Sequence, residues 1–499
     1  MNPLGYAWLV RHLGLLERPH VVSSQLGTRL RTKQGADGST QREYPPQYEP
    51  EQTIAGHLEF ALKYDGVDLC TLRDVFLACG AAPIEEAIRA RPTSRYTRLL
   101  GFFYELTTGR ELAPTLVVGG NYIEALPVSD YLVSPTPRRN VRWRVRDNLL
   151  GDARYCPTIR RTAKLAEAPT ISLQDELQGL LNDFPPELFQ RAADYLYLKE
   201  TRSTYGIEHE AMPTADRTQR FVALLRAAGE GILHSLLSET ELVKHQNLIV
   251  DPRYAASSFR AHQNYVGEQR PDYSQRIHYA CPPPQFVASL MVGLADSAER
   301  CAGLSAVARA AAVAFGFIFI HPFEDGNGRL HRFLIHDILH RDGFIAHGVM
   351  LPVSATMLRR MRDYDAALEK YSRPLMSGLV RYDLDPEGSM TISNPDQVEG
   401  YYRFPDLTSQ VEYLAETVAF SIREDFAEEL RFLRSYDAAR KSIQQIIDIP
   451  DRRLDLLLRL LYQNGGRLSQ AKRELFTEVS NEELARIEKV FAENFSAKV

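Results

Sequence analysis

His321-Pro322-Phe323-Glu324-Asp325-Gly326-Asn327-Gly328-Arg329-Leu330-His331-Arg332 is the stretch on which both fold and chemistry turn. Upstream, Leu304, Val307, Ala308, Ala311, Phe315 and Ile318 recur at helical spacing, which predicts an apolar helix stopped by Pro322. Downstream, Phe333, Leu334, Ile335, Ile338 and Leu339 predict a second buried helix with a glycine stop at Gly343. The quoted stretch is therefore a loop ending at a helix N-terminus, where unpaired backbone N–H groups and the positive end of the dipole favour an anion. Gly326 and Gly328 let phosphate oxygens approach the backbone, and Arg329 and Arg332 add planar donors that match those oxygens. Asp325 is a hard oxygen ligand suited to Mg²⁺, which also needs phosphates to complete its shell. His321 can take a proton near neutral pH. A glycine pair alone is usually a turn, and a lone histidine at an apolar helix end is usually a satisfied core residue. This ordered run of chemistry is not explained that way.

Composition sets the bounds. A chain of 499 residues should hold two or three domains and can bury a large core without disulfides. A net charge of -5 gives no global reason to expect nucleic acid binding. Cys70, Cys79, Cys156, Cys281 and Cys301 are scattered and form no Cys-x-x-Cys pair, which predicts reduced thiols. The longest apolar run, Ala310 to Ile320, is too short to span a bilayer. Met1 to Leu16 lacks the charged start and cleavage site of a signal peptide. The expectation is a soluble, cytoplasmic protein that does not enter membranes.

Position for position, the quoted stretch resembles the signature of the Fic family, His-x-Phe-x-(Asp/Glu)-Gly-Asn-Gly-Arg-x-x-Arg. The resemblance implies a mainly α, helical-bundle core that binds ATP and Mg²⁺ and transfers AMP to a Tyr, Thr or Ser hydroxyl of a target protein. It assigns His321 as general base and Asp325 as metal ligand. Phe323, Gly326, Asn327, Gly328, Arg329 and Arg332 become nucleotide-binding residues. The related Doc-type kinases replace part of Gly-Asn-Gly-Arg, so the intact form favours AMP transfer over phosphate transfer. Upstream, Thr204-x-x-x-Glu208 resembles the family's inhibitory helix motif, although His209 departs from its final Gly/Asn and Gly206 is unusual inside a helix. A glutamate there would pair with Arg332 and occupy a phosphate site. Some Fic enzymes instead use this glutamate to remove AMP. Arg260 to Gly267, then Ile277, His278 and Tyr279, read as extended chain with a turn. In Fic proteins a β-hairpin flap lies here and holds the target by strand addition.

The flanks carry weaker signals. Residues 1–167 predict a mixed, mostly helical domain, with Thr32 to Pro50 an exposed loop and helices at His57 to Tyr64, Leu72 to Cys79 and Arg95 to Thr107. Leu116 to Val118 and Tyr122 to Leu126 predict short strands. Arg138, Arg139, Arg142, Arg144, Arg146, Arg160 and Arg161 suit a nucleic-acid footprint, as in an ATP-sensing regulator that binds nucleic acid, or else a solvated face or an ion-pair network between domains. The Fic domain is expected over 168–375, starting near Ala168. A helical appendix follows over 376–499, with a hairpin near Arg381 to Ser393, and is open to a winged-helix-like, dimer-forming or target-clamping role. Ser238-x-x-Glu241 and Ser480-x-x-Glu483 predict capping boxes.

Overall fold

The computed structural model describes residues 2–35, 38–167, 170–184, 186–209, 214–270 and 275–495. Among these described residues the fold is mainly α, with four small sheets of two to four strands. Its apolar residues gather into three principal cores, and the motif lies in the middle one, which draws on residues from Leu150 to Leu430.

At the centre of that core is the lead-in helix Ala306–Ile320, capped by Ser305, whose Oγ accepts from the Ala308 N–H (3.3 Å). Every residue of it except Ile318 is buried, because an alanine-rich, all-round apolar surface lets neighbours pack on every face. The motif helix Asn327–Arg341 packs against it and is pinned by the His331 Nδ1–Ala314 O bond (2.8 Å). A long helix, Pro186–Ile207, packs on the motif helix and on the short helix Val353–Arg359.

Thr32 to Pro50 is a correction. Arg31–Gln34 and Thr40–Tyr44 are strands of a four-stranded sheet with Pro3–Leu4 and Val22–Leu26. Arg31–Gln34 is exposed at every position, so backbone pairing holds this edge strand without any alternation of apolar residues to announce it. Leu116 to Val118 is the opposite error. It is irregular, with Val117 81% exposed, and only Ile123–Glu124 of the second expected strand pairs, with Val145–Asp147. The helices expected at 57–64, 72–79 and 95–107 are present as Ile54–Phe60 continued by a π turn, Leu69–Cys79 and Arg95–Thr108.

Within the arginine-rich segment, Arg142 pairs with Glu105 (3.2 Å), Arg146 with Glu124 (3.1 Å) and Arg160 with Asp406 (2.7 Å). These three serve ion pairs inside the chain. Ala168 lies outside the described residues. The C-terminal helices Ala427–Gln444, Asp451–Gln463, Gln470–Arg473 and Asn481–Phe495 enclose the third core, without a strand among their described residues. The last helix opens on a complete capping box: Ser480 Oγ accepts from Glu483 N–H (3.2 Å), and Glu483 Oε2 accepts from Ser480 N–H (2.8 Å). No helix among the described residues is long and apolar enough to cross a membrane.

Candidate active site

The lead-in helix ends on His321, held in the left-handed region at φ 52°, ψ 61°, with its N–H bonded to Phe317 O (2.9 Å). A non-glycine residue there costs roughly 1–2 kcal/mol, so the surroundings must over-determine it. His321 Nδ1 lies 3.2 Å from Ile318 O. A carbonyl can only accept, so Nδ1 carries the hydrogen and Nε2 keeps a free lone pair. Burial first, and then the Arg260 charge, lower the imidazole pKa to about 4, while Glu208 and Asp325 pull the other way. The ring is therefore neutral at pH 7 and able to accept a proton.

The loop behind it is closed by Asn327. Its Oδ1 accepts from Phe323 N–H (3.0 Å) and its Nδ2 donates to Phe323 O (2.8 Å). Two of the residues assigned to the nucleotide, Phe323 and Asn327, turn their side chains into the loop. The Asn327 side chain is buried and committed to this clamp, and the Phe323 ring is buried, edge-on to Phe259. Both shape the loop from inside. Gly326, at φ +89°, caps the motif helix, and a Cβ on it would strike Val250. The buried Gln246, which sequence reasoning missed, holds the turn by donating from Nε2 to Asp325 O (3.2 Å) and Tyr254 O (2.8 Å). A lone glutamine on an upstream helix gives no signal of this. Asp325 keeps a partly exposed carboxylate that accepts from Gly326 N–H and Arg329 Nη2, both at 2.6 Å.

Arg329 and Arg332 are fully buried. Arg329 Nη1 donates to Ile249 O (3.1 Å) and its guanidinium stands 5.2 Å from the Tyr205 ring centre. Arg332 donates from Nη2 to Glu208 Oε1 (2.6 Å) and Thr204 O (3.0 Å), and from Nε to Thr204 Oγ1. Glu208 thus meets Arg332, the arginine that the sequence reading pairs it with, and Thr204 meets the same guanidinium. A Cβ on Gly328 would fall on the Glu208 carboxylate, so that carboxylate sits against the first turn of the motif helix, on its anion-favouring end. Burial raises the Glu208 pKa, but the Arg332 charge and hydrogen bond outweigh it and hold the group below its ordinary value.

The two positions at which this helix departs from the motif it resembles have physical reasons. Gly206 lies inside the helix Pro186–Ile207 where a Cβ would press on Leu358. His209 adopts φ 55°, the left-handed conformation that glycine or asparagine takes past a helix end and that histidine tolerates. The same helix is anchored by the buried Glu200, which accepts from Ser354 N–H (2.9 Å) and pairs with His336 Nε2 (2.6 Å).

The expected hairpin is present, with Tyr265–Gln269 paired antiparallel to Gln275–Ala280 and a bulge at Val266/Gly267. His278 is partly exposed, 3.5 Å from Glu268, and Ile277 is partly buried against the core. Tyr279 lies on the same strand with its ring buried against Phe319 and Tyr371 and its hydroxyl donating to Phe319 O, so its side chain anchors the strand. Asn264 Nδ2 donates to Phe323 O (3.3 Å), tying the hairpin to the loop. Arg260, also missed from sequence, bonds the carbonyl of His321 (2.8 Å).

Residues 236–339 match the Fic/DOC family. The chain is 25% identical over 228 residues to the protein adenylyltransferase fic-1 of Caenorhabditis briggsae, an alignment covering 43% of this chain and 41% of that one. It is 27% identical over 180 residues to the Caenorhabditis elegans protein of the same name, covering 35% and 31%. The chain thus spans less than half the length of these relatives. A crystal structure of a Fic family protein from Desulfovibrio desulfuricans G20 aligns over 68% of this chain and 90% of its own, at 18% identity and a TM-score of 0.36. With the signature folded into one loop between two buried helices, residues 236–339 of this chain form a domain that matches the Fic/DOC family.

Proposed function

We propose that this protein is an adenylyltransferase that moves AMP from ATP to a Tyr, Thr or Ser hydroxyl of a target protein, and that Glu208 restrains it. The observation that carries the reading is the Glu208 carboxylate, an internal anion seated on Arg332 and the motif-helix N-terminus, where a nucleotide phosphate would otherwise go. His321 Nε2 takes the proton of the target hydroxyl as its oxygen bonds to the α-phosphorus and pyrophosphate leaves. Arg329, Arg332 and the amides of Gly326 to Gly328 stabilise charge on the phosphates. Asp325 fits as a single carboxylate ligand. Among the described residues no group of three or more His, Cys, Asp or Glu could hold a metal, so Mg²⁺ would have to arrive with phosphate oxygens. Bound Mg²⁺ would neutralise phosphate charge. Ile277 and His278 on the hairpin would align the target backbone.

The proposal extends to a division into 1–167, 168–375 and 376–499. It also places the protein in the cytoplasm, in keeping with five free thiols among the described residues. Because Glu208 also bears on the protonation of His321, hydrolytic removal of AMP is a second reading.

Incubation with ATP labelled on either the α- or the γ-phosphate tests the function. Label on protein from the α-position alone is expected. Label from the γ-position would mean phosphate transfer, and release of AMP from a pre-modified target without any labelling would favour the hydrolytic reading.

A further inference from the structure

Arg260 has a setting that the transfer chemistry above does not use. It lies in the irregular segment leading into the hairpin and is 6% exposed. The hydrogen-bond partners of its guanidinium are carbonyls, none of them a carboxylate: Nε donates to His321 O (2.8 Å), Nη1 to His262 O (3.0 Å), and Nη2 to Pro282 O (2.7 Å) and Ile320 O (3.4 Å). Its backbone N–H adds Pro322 O (2.9 Å). A buried cation is expensive unless its donors are satisfied, and here the carbonyls at the C-terminal end of the lead-in helix supply both acceptors and the negative end of the dipole. The acceptors fall into two sets. Residues 320 to 322 bracket the left-handed turn that aims the imidazole, and His262 and Pro282 are the two feet of the hairpin Tyr265–Ala280.

We propose that Arg260 is a positioning residue for the transfer reaction. By spanning the carbonyls around His321 and both feet of the hairpin, it fixes the base in its strained turn and joins the docking hairpin to it. This rests on the adenylyl-transfer reading. The planar fork matters, because a lysine ammonium at the same place would keep the charge but could not reach acceptors on three segments in fixed directions. The charged groups that bear on the imidazole are Arg260, Glu208 from the end of its helix and Asp325 from the loop.

The test uses the full chain carrying Glu208→Gly, with Arg260→Lys and Arg260→Gln added separately. Arg260→Lys should leave the KM for ATP within about twofold and lower kcat by ~10–100-fold, the range for a slightly misplaced reacting group, with the acid limb of the pH profile unmoved. Arg260→Gln should show the same loss and, with the cation gone, an acid limb raised by about half a unit or more. A kcat within twofold of the parent in Arg260→Lys would overturn the assignment. So would a rise in KM matching the fall in kcat in both variants, which is what general loosening of the fold produces. If Arg260→Gln does not fold, the Arg260→Lys split decides. If the parent transfers no AMP, the functional reading fails on its own. The His321 ring signals in NMR, identified by their loss in His321→Ala, then decide the Arg260 assignment: ring shifts displaced in the charge-keeping Arg260→Lys at about pH 7.5 uphold it and unmoved ones overturn it.

Discussion

His321, Asn327 and His209 show how single residues carry this site. The loop geometry depends on the Asn327 side chain making both bonds to one backbone unit. Asn327→Ala should strand a buried N–H and carbonyl at Phe323, costing ~1–3 kcal/mol of stability and weakening nucleotide binding with it. Thermal melts and calorimetry on the same samples check this, and an unchanged melting point would show that the clamp is dispensable. The chemistry of the motif was legible because its residue types have few other uses in that order. The inward turn of Phe323 and Asn327 was not, since a motif gives spacing and not the direction in which each side chain points.

At the scale of elements, the helix Pro186–Ile207 is held too firmly to swing aside. Tyr205 and Ile207 are core residues, Thr204 accepts from Arg332, and Glu200 accepts from the Ser354 N–H and pairs with His336. Release of Glu208 should therefore be local, confined to the turn at Glu208 and His209. Amide exchange should show Thr201 to Tyr205 equally protected with and without ATP; loss of protection there on ATP addition would mean that the whole helix departs. Glu200→Ala should cost ~3–5 kcal/mol, because His336 and the Ser354 N–H lose their buried partner, and a melt within a degree of wild type would contradict the anchor. In the hairpin, Tyr279→Ala should destabilise the fold by ~3–5 kcal/mol, whereas His278→Ala should leave the melt unchanged and lower only target modification. Alternation of extended residues and a turn made the hairpin legible. The polar edge strand Arg31–Gln34 was hidden because backbone pairing alone leaves no pattern of side chains.

For the whole molecule, buried neutral histidines set the response to acid. His57 and His331 are wholly buried and His340 nearly so, and burial lowers their pKa values to about 4, 3 and 4 from 6.5. Between those values and 6.5 the unfolded chain binds protons that the native state does not, so stability is present above pH 6.5 and falls as pH drops toward 4. Each histidine contributes up to about 1.4 kcal/mol per pH unit in that window. Urea midpoints at pH 7.5, 5.5 and 4.5 should fall steeply below neutrality; a flat profile would mean that these rings protonate in place. Such burial could not be read from sequence, which gives the position of His331 between Leu330 and Arg332 but not what the fold packs around its ring.

On the function proposed above, the site built on the His321 to Arg332 motif is held back by its own glutamate, Glu208. The decisive measurement is AMP labelling from α-phosphate-labelled ATP by wild type, Glu208→Gly and Glu208→Gly with His321→Ala. A coupling of about 1–3 kcal/mol between Glu208 and Arg332 predicts a rise of roughly 5- to 150-fold in Glu208→Gly. Loss of the base predicts a fall of at least ~10²-fold in the double variant. Unchanged or reduced labelling in Glu208→Gly, with the fold verified, would contradict the account.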